Sequence, residues 1–242
     1  MDNLIRQVKV LRIYVIVLTV LVLACLIALI AGVRGSHDFT ELTARRINIV
    51  EPDGRLALVI SDHANQHPGA INGKDLPARD RPAGMIFFNG EGDECGGLVY
   101  DGTKKEASFT WSVDQYKNDQ IMQLQYEQDS GLRLARSYGF KLWDRSDRFT
   151  LGREMDYFKS LPKNDTAAVN AGIDSLRKKG LLGVERLFLG RTTDGKTGLF
   201  LRDDRGIPRL RICIGKENEP LIQTLDDRGG VIASWGGKSL SK

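Results

Sequence analysis

The sequence predicts a mainly β protein, an antiparallel meander with one inserted helix, preceded by a single transmembrane helix. An uncharged apolar run occupies residues 13–33. Apolar and polar residues alternate through much of residues 46–144 and 184–235, as in strands that bury one face. Turns rich in aspartate and glycine separate these runs at intervals of about 8 to 12 residues, which is typical of all-β domains. A sandwich, a barrel and a propeller-like arrangement are all compatible with this pattern.

The apolar run, IYVIVLTVLVLACLIALIAGV, has no polar face along its 21 residues. At about 1.5 Å per residue, a helix of this length spans the roughly 30 Å hydrocarbon core of a bilayer. Cleaved signal peptides have shorter apolar regions, and a lipoprotein signal ending at Cys25 would be followed by a polar tether. An uncleaved span is therefore predicted at residues 13–33. Residues 1–12 then form a cytoplasmic tail, residues 34–45 a stalk with a short helix from residue 37, and residues 46–242 the β-rich domain.

Charged residues beside the span favour a cytoplasmic N-terminus. Arg6, Lys9 and Arg12 precede the span against the single acidic residue Asp2, whereas the residues just after it carry mixed charges. Basic residues in short flanking segments are enriched on the cytoplasmic side of a membrane. We therefore predict that the C-terminal domain is extracytoplasmic, in a periplasm or its equivalent.

The charge balance argues against a nucleic acid partner. The whole chain holds 35 Lys and Arg against 31 Asp and Glu, and part of this basic excess lies in the N-terminal tail. The β-rich domain is therefore nearly neutral, whereas binding to phosphates requires a concentrated basic surface.

Hairpin turns separate the predicted strands. The turn EPDG (51–54) lies between two runs of alternating apolar residues, and the turns DDRG at 203–206 and 226–229 have similar chemistry. Aspartate can accept hydrogen bonds from the amides of its own turn, and glycine adopts the positive φ that closes a bulged hairpin. We expect positive φ at the closing glycines, Gly54, Gly206 and Gly229.

Residues 165–179 break the β pattern. They begin with two candidate capping residues, Asp165 and Thr166, and end with basic residues before Gly180. We predict a single helix there, preceded by a long connection over residues 145–164. The tryptophans and phenylalanines lie in or beside strand-like runs, and core packing is the preferred interpretation of them.

Two alternatives remain open for Cys95 and Cys213. In an oxidising compartment the two thiols could pair and close a long loop. They could equally be small buried apolar residues, which suits the strand-like surroundings of Cys213. No CxxC motif or Cys/His cluster is present in the sequence, and we predict no metal and no cofactor.

The stretch from His63 to Gly97 contains the most unusual residues of the chain. It holds two of the three histidines and several closely spaced acidic residues. Long loops that carry such residues are more often functional than the strands they join. The candidate binding residues in this stretch are His63, His67, Asp93, Glu94 and Cys95.

Each sharper interpretation of these residues meets an objection. His63 and His67 are spaced like metal ligands on a helix, but a proline follows at once. Cys95 could act as a nucleophile with a histidine base, but acidic neighbours raise the pKa of a thiol. Neighbouring carboxylates such as Asp93 and Glu94 seldom converge on a substrate as a glycosidase pair. We therefore predict no catalytic residue, and a structured loop packed on the β core is the preferred interpretation.

The run from Arg46 to Gly102 contains three distinctive strings, RINIVEPDGRLALVISD, HPG and RPAGMIFFNGEGDECGGLVYDG. In these strings the chain resembles a group of uncharacterised bacterial proteins with a single N-terminal span and a β-rich outer domain. The resemblance implies a bacterial inner membrane location with a periplasmic domain. It implies no activity, no ligand and no catalytic residue.

The preferred function is that of a membrane-anchored, non-enzymatic β domain that binds a protein partner, forms a homo-oligomer or supports an envelope assembly. One alternative is an envelope hydrolase with a site in residues 63–97. Another is a β domain that binds a lipid or a small ligand. The distances among the five candidate residues discriminate between these functions, because convergence on one cleft would favour the enzyme.

Overall fold

The computed structural model describes residues 1–34, 38–131, 134–162 and 165–236. The chain separates into two compact units, Met1–Thr43 and Ala44–Lys242.

The first unit contains one long helix, α1 (Asp2–Arg34). Its segment Asn3–Ile30, whose most apolar 18-residue window has a mean hydropathy of 3.2, is long and apolar enough to cross a membrane. Of the predicted stalk, residues 35–37 lie outside the described residues. Residues 38–45 are not helical, so the predicted stalk helix is wrong there. The physical reason is length, because an isolated helix needs about 12 to 15 residues to be stable in water.

The second unit is mainly β, as predicted. Its strands are β1 (Arg46–Val50), β2 (Leu56–Ser61), β3 (Ala70–Ile71), β4 (Lys74–Asp75), β5 (Gly84–Phe88), β6 (Glu94–Gly102), β7 (Glu106–Asp114), β8 (Gln120–Asp129), β9 (Ala135–Asp144), β10 (Val184–Arg191), β11 (Thr197–Arg202), β12 (Pro208–Ile214), β13 (Pro220–Leu225) and β14 (Val231–Gly236).

Twelve of these strands form one antiparallel sheet in the order of the sequence. The small hairpin β3–β4 is set aside between β2 and β5, and every other strand pairs with its neighbours along the chain. β1 and β14 are the two edges, so the predicted meander is confirmed as a single open sheet.

Two helices connect β9 to β10. The second, α3 (Thr166–Lys178), confirms the helix predicted from its capping residues, and the Asp165 side chain accepts a hydrogen bond from the amide of Ala168. The first, α2 (Leu151–Ser160), lies in the segment predicted as a connection, so the prediction of a single inserted helix is incomplete. Its signals in the sequence are weak, because Thr150 makes no side-chain capping bond and Gly152 lowers helix propensity in the first turn.

Seven hairpin turns share two backbone hydrogen bonds. The amide of the first residue donates to the carbonyl of the fifth, and the amide of the fourth donates to the carbonyl of the first. Six of the seven form one kind of turn, and the turn at 115–119 differs because its third residue, Lys117, has the positive φ. In the six, the fourth residue has positive φ, which confirms the prediction for Gly54 (+85°), Gly206 (+81°) and Gly229 (+81°). The carboxylates of Asp203 and Asp226 accept hydrogen bonds from amides within their own turns, as predicted.

The hydrophobic core lies where the 62–83 segment covers β2 and β5. Val59, Ile86 and Phe88 pack there with Ala70 of the inserted hairpin, and all four residues are buried. This core is small and belongs to one face of the sheet.

The two cysteines of the β domain are both free. Cys95 lies in β6 and Cys213 in β12, six strands away across the sheet. At about 4.8 Å per strand this separation is roughly 29 Å, far beyond the reach of a disulfide. The structure thus supports the second alternative for Cys213, which is buried.

Candidate functional site

His67 has a structural environment in the 62–83 segment. Its side chain is buried and meets the ring of Phe88 edge-on, with the ring centroids 4.8 Å apart. Its Nδ1 accepts a hydrogen bond from the amide of Gly69 at 3.0 Å, and its Nε2 lies 3.4 Å from a carboxylate oxygen of Asp75. Burial lowers the pKa of His67, although the Asp75 carboxylate opposes that shift. The imidazole therefore fixes the loop on the core.

His63 and Cys95 are not placed as a catalytic pair. The His63 imidazole is exposed and contacts the carboxylate of Asp80. Burial, followed by the nearby carboxylates of Asp114 and Glu94, raises the pKa of the Cys95 thiol. A thiol with a raised pKa is a poor nucleophile. These contacts favour neither His63 as a general base nor Cys95 as a nucleophile.

Asp93 and Glu94 both bind the segment 62–83, which we call the inserted loop. Asp93 is buried, and its Oδ1 accepts a hydrogen bond from the amide of Gly73 at 2.8 Å. Glu94 forms a bidentate ion pair with Arg81, with N–O distances of 2.7 and 2.9 Å. Both side chains of this pair are largely shielded from solvent. Asp93 therefore ties residue 73 to the turn before β6, and Glu94 ties residue 81 to the first residue of β6.

A polar cavity of about 460 Å³ lies beside these carboxylates. It is lined by residues of the inserted loop, of the β5–β6 turn and the start of β6, of the β7–β8 turn with its flanking strand ends, and of α2. These residues are Ala70, Ile71, Leu76, Arg79, Arg81, Asp93, Glu94, Asp114, Lys117, Asn118, Asp119, Gln120, Leu151 and Met155. Of the five candidate residues, Asp93 and Glu94 line the cavity, whereas His63, His67 and Cys95 do not. The candidates therefore do not converge on one cleft.

Asp114 and Asp93 each bury one carboxylate oxygen without a hydrogen-bond partner at this cavity, Oδ1 of Asp114 and Oδ2 of Asp93. Burial, then the charges of Asp119 and Glu94, raise the pKa of Asp114 to about 7. Sequence reasoning missed this residue, because an aspartate at the end of a strand-like run looks like an ordinary turn residue.

The paired charges limit the chemistry of the cavity. Glu94 is held by Arg81, and the carboxylate of Asp119 lies 2.9 Å from the Arg145 guanidinium. Across the described ranges, no group of three His, Cys, Asp or Glu residues could hold a metal ion. The cavity is therefore a nearly charge-balanced polar pocket without an assembled nucleophile and base.

A larger feature lies on one face of the sheet. The strand register aligns one apolar residue from every strand in an unbroken line, which we call the first apolar row: Ile47, Ile60, Met85, Leu98, Trp111, Leu124, Phe140, Leu189, Leu199, Ile212, Ile222 and Trp235.

A second apolar row runs beside the first on the same face, two residues along each strand. It consists of Ile49, Leu58, Phe87, Gly96, Val113, Met122, Leu142, Leu187, Leu201, Leu210, Thr224 and Ala233. Neither row contains a charged residue. We call the surface formed by the two rows the apolar face.

The apolar face is open to solvent. Nine of its large side chains keep between 37% and 55% of their surface exposed: Ile49, Trp111, Val113, Met122, Leu124, Leu189, Ile212, Ile222 and Trp235. The prediction that the aromatic residues pack in a core is therefore wrong for Trp111 and Trp235. The alternation was visible in the sequence, but the register that joins twelve strands into one exposed face was not.

The opposite face has a different chemistry. Between the two apolar rows, alternate side chains point the other way, and in the middle of the sheet they include Ser112, Gln123 and Lys141. At the β2–β5 end, the inserted segment covers this face with the small core. Beside them on the same face, Phe188 and Phe200 stack on each other with ring centroids 5.9 Å apart. This face is thus mixed in chemistry, whereas the two rows on the other face are uncharged throughout.

No protein family model matches this chain, and no curated protein and no solved structure is significantly similar to it.

Proposed function

We propose that this protein is a membrane-anchored, non-enzymatic scaffold whose β domain binds a protein partner through the apolar face. The observation that supports this function is the pair of uncharged rows that cross all twelve strands with nine large side chains exposed. The largest apolar patch of a typical soluble monomer is about 300–600 Å² and is often functional. A face of this length is therefore expected to be covered by a partner.

The contacts of the five candidate residues favour a scaffold over a hydrolase. His67 packs on Phe88, Glu94 pairs with Arg81, and Asp93 holds the amide of Gly73. Each of these three side chains has a structural partner, and only the Oδ2 of Asp93 is buried without one. Acyl or glycosyl transfer needs a nucleophile and a base that meet at the substrate, and these contacts assemble no such pair. The openness of the apolar face likewise favours a protein surface over a small ligand, because small ligands prefer concave pockets.

We further propose that α1 anchors the protein in a bacterial inner membrane with the β domain outside the cytoplasm. The basic flank before the apolar segment and the resemblance of residues 46–102 support this placement. We expect activity from a reporter enzyme that works only outside the cytoplasm when it is fused after Lys242. Activity of a cytoplasm-only reporter at the same position would contradict the orientation.

Site-specific photo-cross-linking tests the binding function in the full-length protein in its membrane. A photoreactive residue at Trp111 lies on the apolar face, and the same residue at Ser112 lies on the opposite face of the same strand. We expect a single protein adduct of high yield from position 111 and little from position 112. Adducts with lipid alone, or equal protein adducts from both positions, would contradict the proposed function.

A further inference from the structure

We infer that the partner on the apolar face is a second copy of this chain, packed face to face and parallel, so that each strand meets its own counterpart. This inference rests on the proposed function, since it names the partner of the same surface. It specifies an arrangement that binding to an unrelated protein would not produce.

The size of the apolar face fits a stable homo-oligomer. Twelve strands spaced about 4.8 Å apart give rows roughly 53 Å long, and two rows with their side chains cover on the order of 1,000 Å². A standard interface buries about 800 Å² on each partner. One copy therefore offers enough area for a lasting contact without help from loops.

The composition of the two rows points to a copy of the same chain. Transient protein–protein interfaces are about as polar as the rest of a protein surface, whereas homodimer interfaces are more apolar. The rows hold no charged residue that could meet a complementary charge on a different protein. The charged strand residues that directly follow the rows on this face, Asp144 and Arg191, lie at strand ends beyond them. Face-to-face packing of two copies removes both apolar faces from water in one contact.

The order of the chain fits a parallel arrangement, because β1 is the strand that follows α1. Two copies whose α1 helices cross one membrane in the same direction are related by an axis perpendicular to it. If the twofold rotation axis of the dimer runs parallel to the rows, the β1 strand of one copy lies against the β1 strand of the other. An axis parallel to the strands would place β1 against β14, roughly 53 Å from the other β1. Shared anchorage also raises the effective concentration of one copy near another.

Cysteine cross-linking tests this arrangement in the full chain, in membranes and in detergent. The background carries Cys25→Ala and Cys95→Ala, while Cys213 stays because it is buried. Ile49→Cys and Trp235→Cys place single thiols on the apolar face at opposite edges of the sheet. Asn48→Cys and Ser234→Cys are the matched controls, because each is an exposed neighbour on the opposite face.

With a short bismaleimide, we expect Ile49→Cys and Trp235→Cys each to yield a cross-linked dimer several-fold faster than its neighbour. Leu189→Lys should shift the parent oligomer to monomer in light scattering, and Gln223→Lys on the opposite face should not. Circular dichroism of both lysine variants shows whether they remain folded.

Three results would overturn the inference. A monomeric parent whose photo-adducts at Trp111 contain a different protein would leave the proposed function intact and remove the second copy. A monomeric parent without protein adducts would remove both. In a mixture of the two variants, cross-links that join an Ile49→Cys chain only to a Trp235→Cys chain would show an antiparallel dimer and refute the parallel one.

Discussion

Asp114 is buried beside other carboxylates, which makes the stability of the β domain sensitive to pH. Its pKa is raised to about 7, by burial first and by Asp119 and Glu94 second. When the pKa of an acid is higher in the folded than in the unfolded state, the folded state binds the proton more tightly. The resulting contribution to the free energy of unfolding is complete below the unfolded-state pKa and is lost as pH rises through the folded-state pKa. For Asp114 the loss falls between about pH 4 and pH 7.

We expect Asp114→Asn to raise the free energy of unfolding at pH 8 by about 1 to 4 kcal/mol and to change it little at pH 4. Urea denaturation at the two pH values measures the difference. Asp101→Asn, at the exposed end of β6, is the control and should show no such pH dependence. An equal effect of Asp114→Asn at both pH values would mean that Asp114 is charged in the folded protein at neutral pH.

The ion pair between Arg81 and Glu94 should stabilise the inserted loop. Its side chains are 16% and 17% exposed, so removal of one partner leaves a shielded charge without compensation. We expect Glu94→Ala to lower the free energy of unfolding by about 3 kcal/mol. The exposed pair Asp174–Arg177 on α3 is the control, and Asp174→Ala should cost less than about 0.5 kcal/mol. Equal losses in the two variants would show that the Arg81–Glu94 pair is not structural.

At the level of single residues, the sequence predicts those features that depend only on neighbouring residues in the chain. Gly206 and Asp203 belong to one turn, so their conformations follow from four adjacent residues. His67 and Asp114 acquire their roles from Phe88, Asp119 and other residues distant in sequence. No local pattern could have revealed that one is a packing residue and the other a buried acid.

The six similar turns set the length and register of the hairpins, and Gly206 closes the one between β11 and β12. Its φ of +81° is costly for a β-branched residue. We expect Gly206→Val to lower the free energy of unfolding by about 1 to 3 kcal/mol. Gly90→Val is the matched control, because Gly90 is a turn glycine outside the positive-φ set and a Cβ there meets no atom within 4 Å. Equal denaturation midpoints for the two variants would contradict the role of the turn.

Among the elements, the strands were predictable and the helices only in part. Alternation and Asp-Gly turns identified the hairpins because both signals are short-range. α3 has a capping aspartate and a basic C-terminal turn, whereas α2 contains no buried residue and no side-chain cap. The helix without a side-chain cap was therefore the one that sequence reasoning missed, although Lys159 lies in its last turn.

The open meander should lose its structure from the edges inward. β8 has ten residues and pairs along its length with β7 and β9, whereas β14 has six residues and one partner. We expect amide hydrogen exchange to be slowest in β7–β9 and fastest in β14, because edge strands open at lower free-energy cost. Mass spectrometry of peptides from each strand measures the order. Uniform exchange across all twelve strands would indicate a single cooperative unit instead.

At the scale of the whole molecule, the sequence predicted a meander but not its exposed face. Each strand alone looks like a strand with one buried side. Only the register from Ile47 through Phe140 to Trp235 shows that the apolar sides lie on one surface, on which nine large side chains are exposed. A register across twelve strands is a non-local property, which single-sequence patterns do not contain.

The neighbour-to-neighbour order of the strands also bears on how the protein is made. Translation adds about 5 to 20 residues per second, whereas a hairpin closes in about 1 to 10 μs. Except where the β3–β4 hairpin intervenes, the partner of each new strand is the strand synthesised just before it. The sheet can therefore lengthen one strand at a time from β1, and it need not wait for a distant segment to close it. Apart from β3 and β4, the order of the strands in the sheet is the order in which the ribosome makes them.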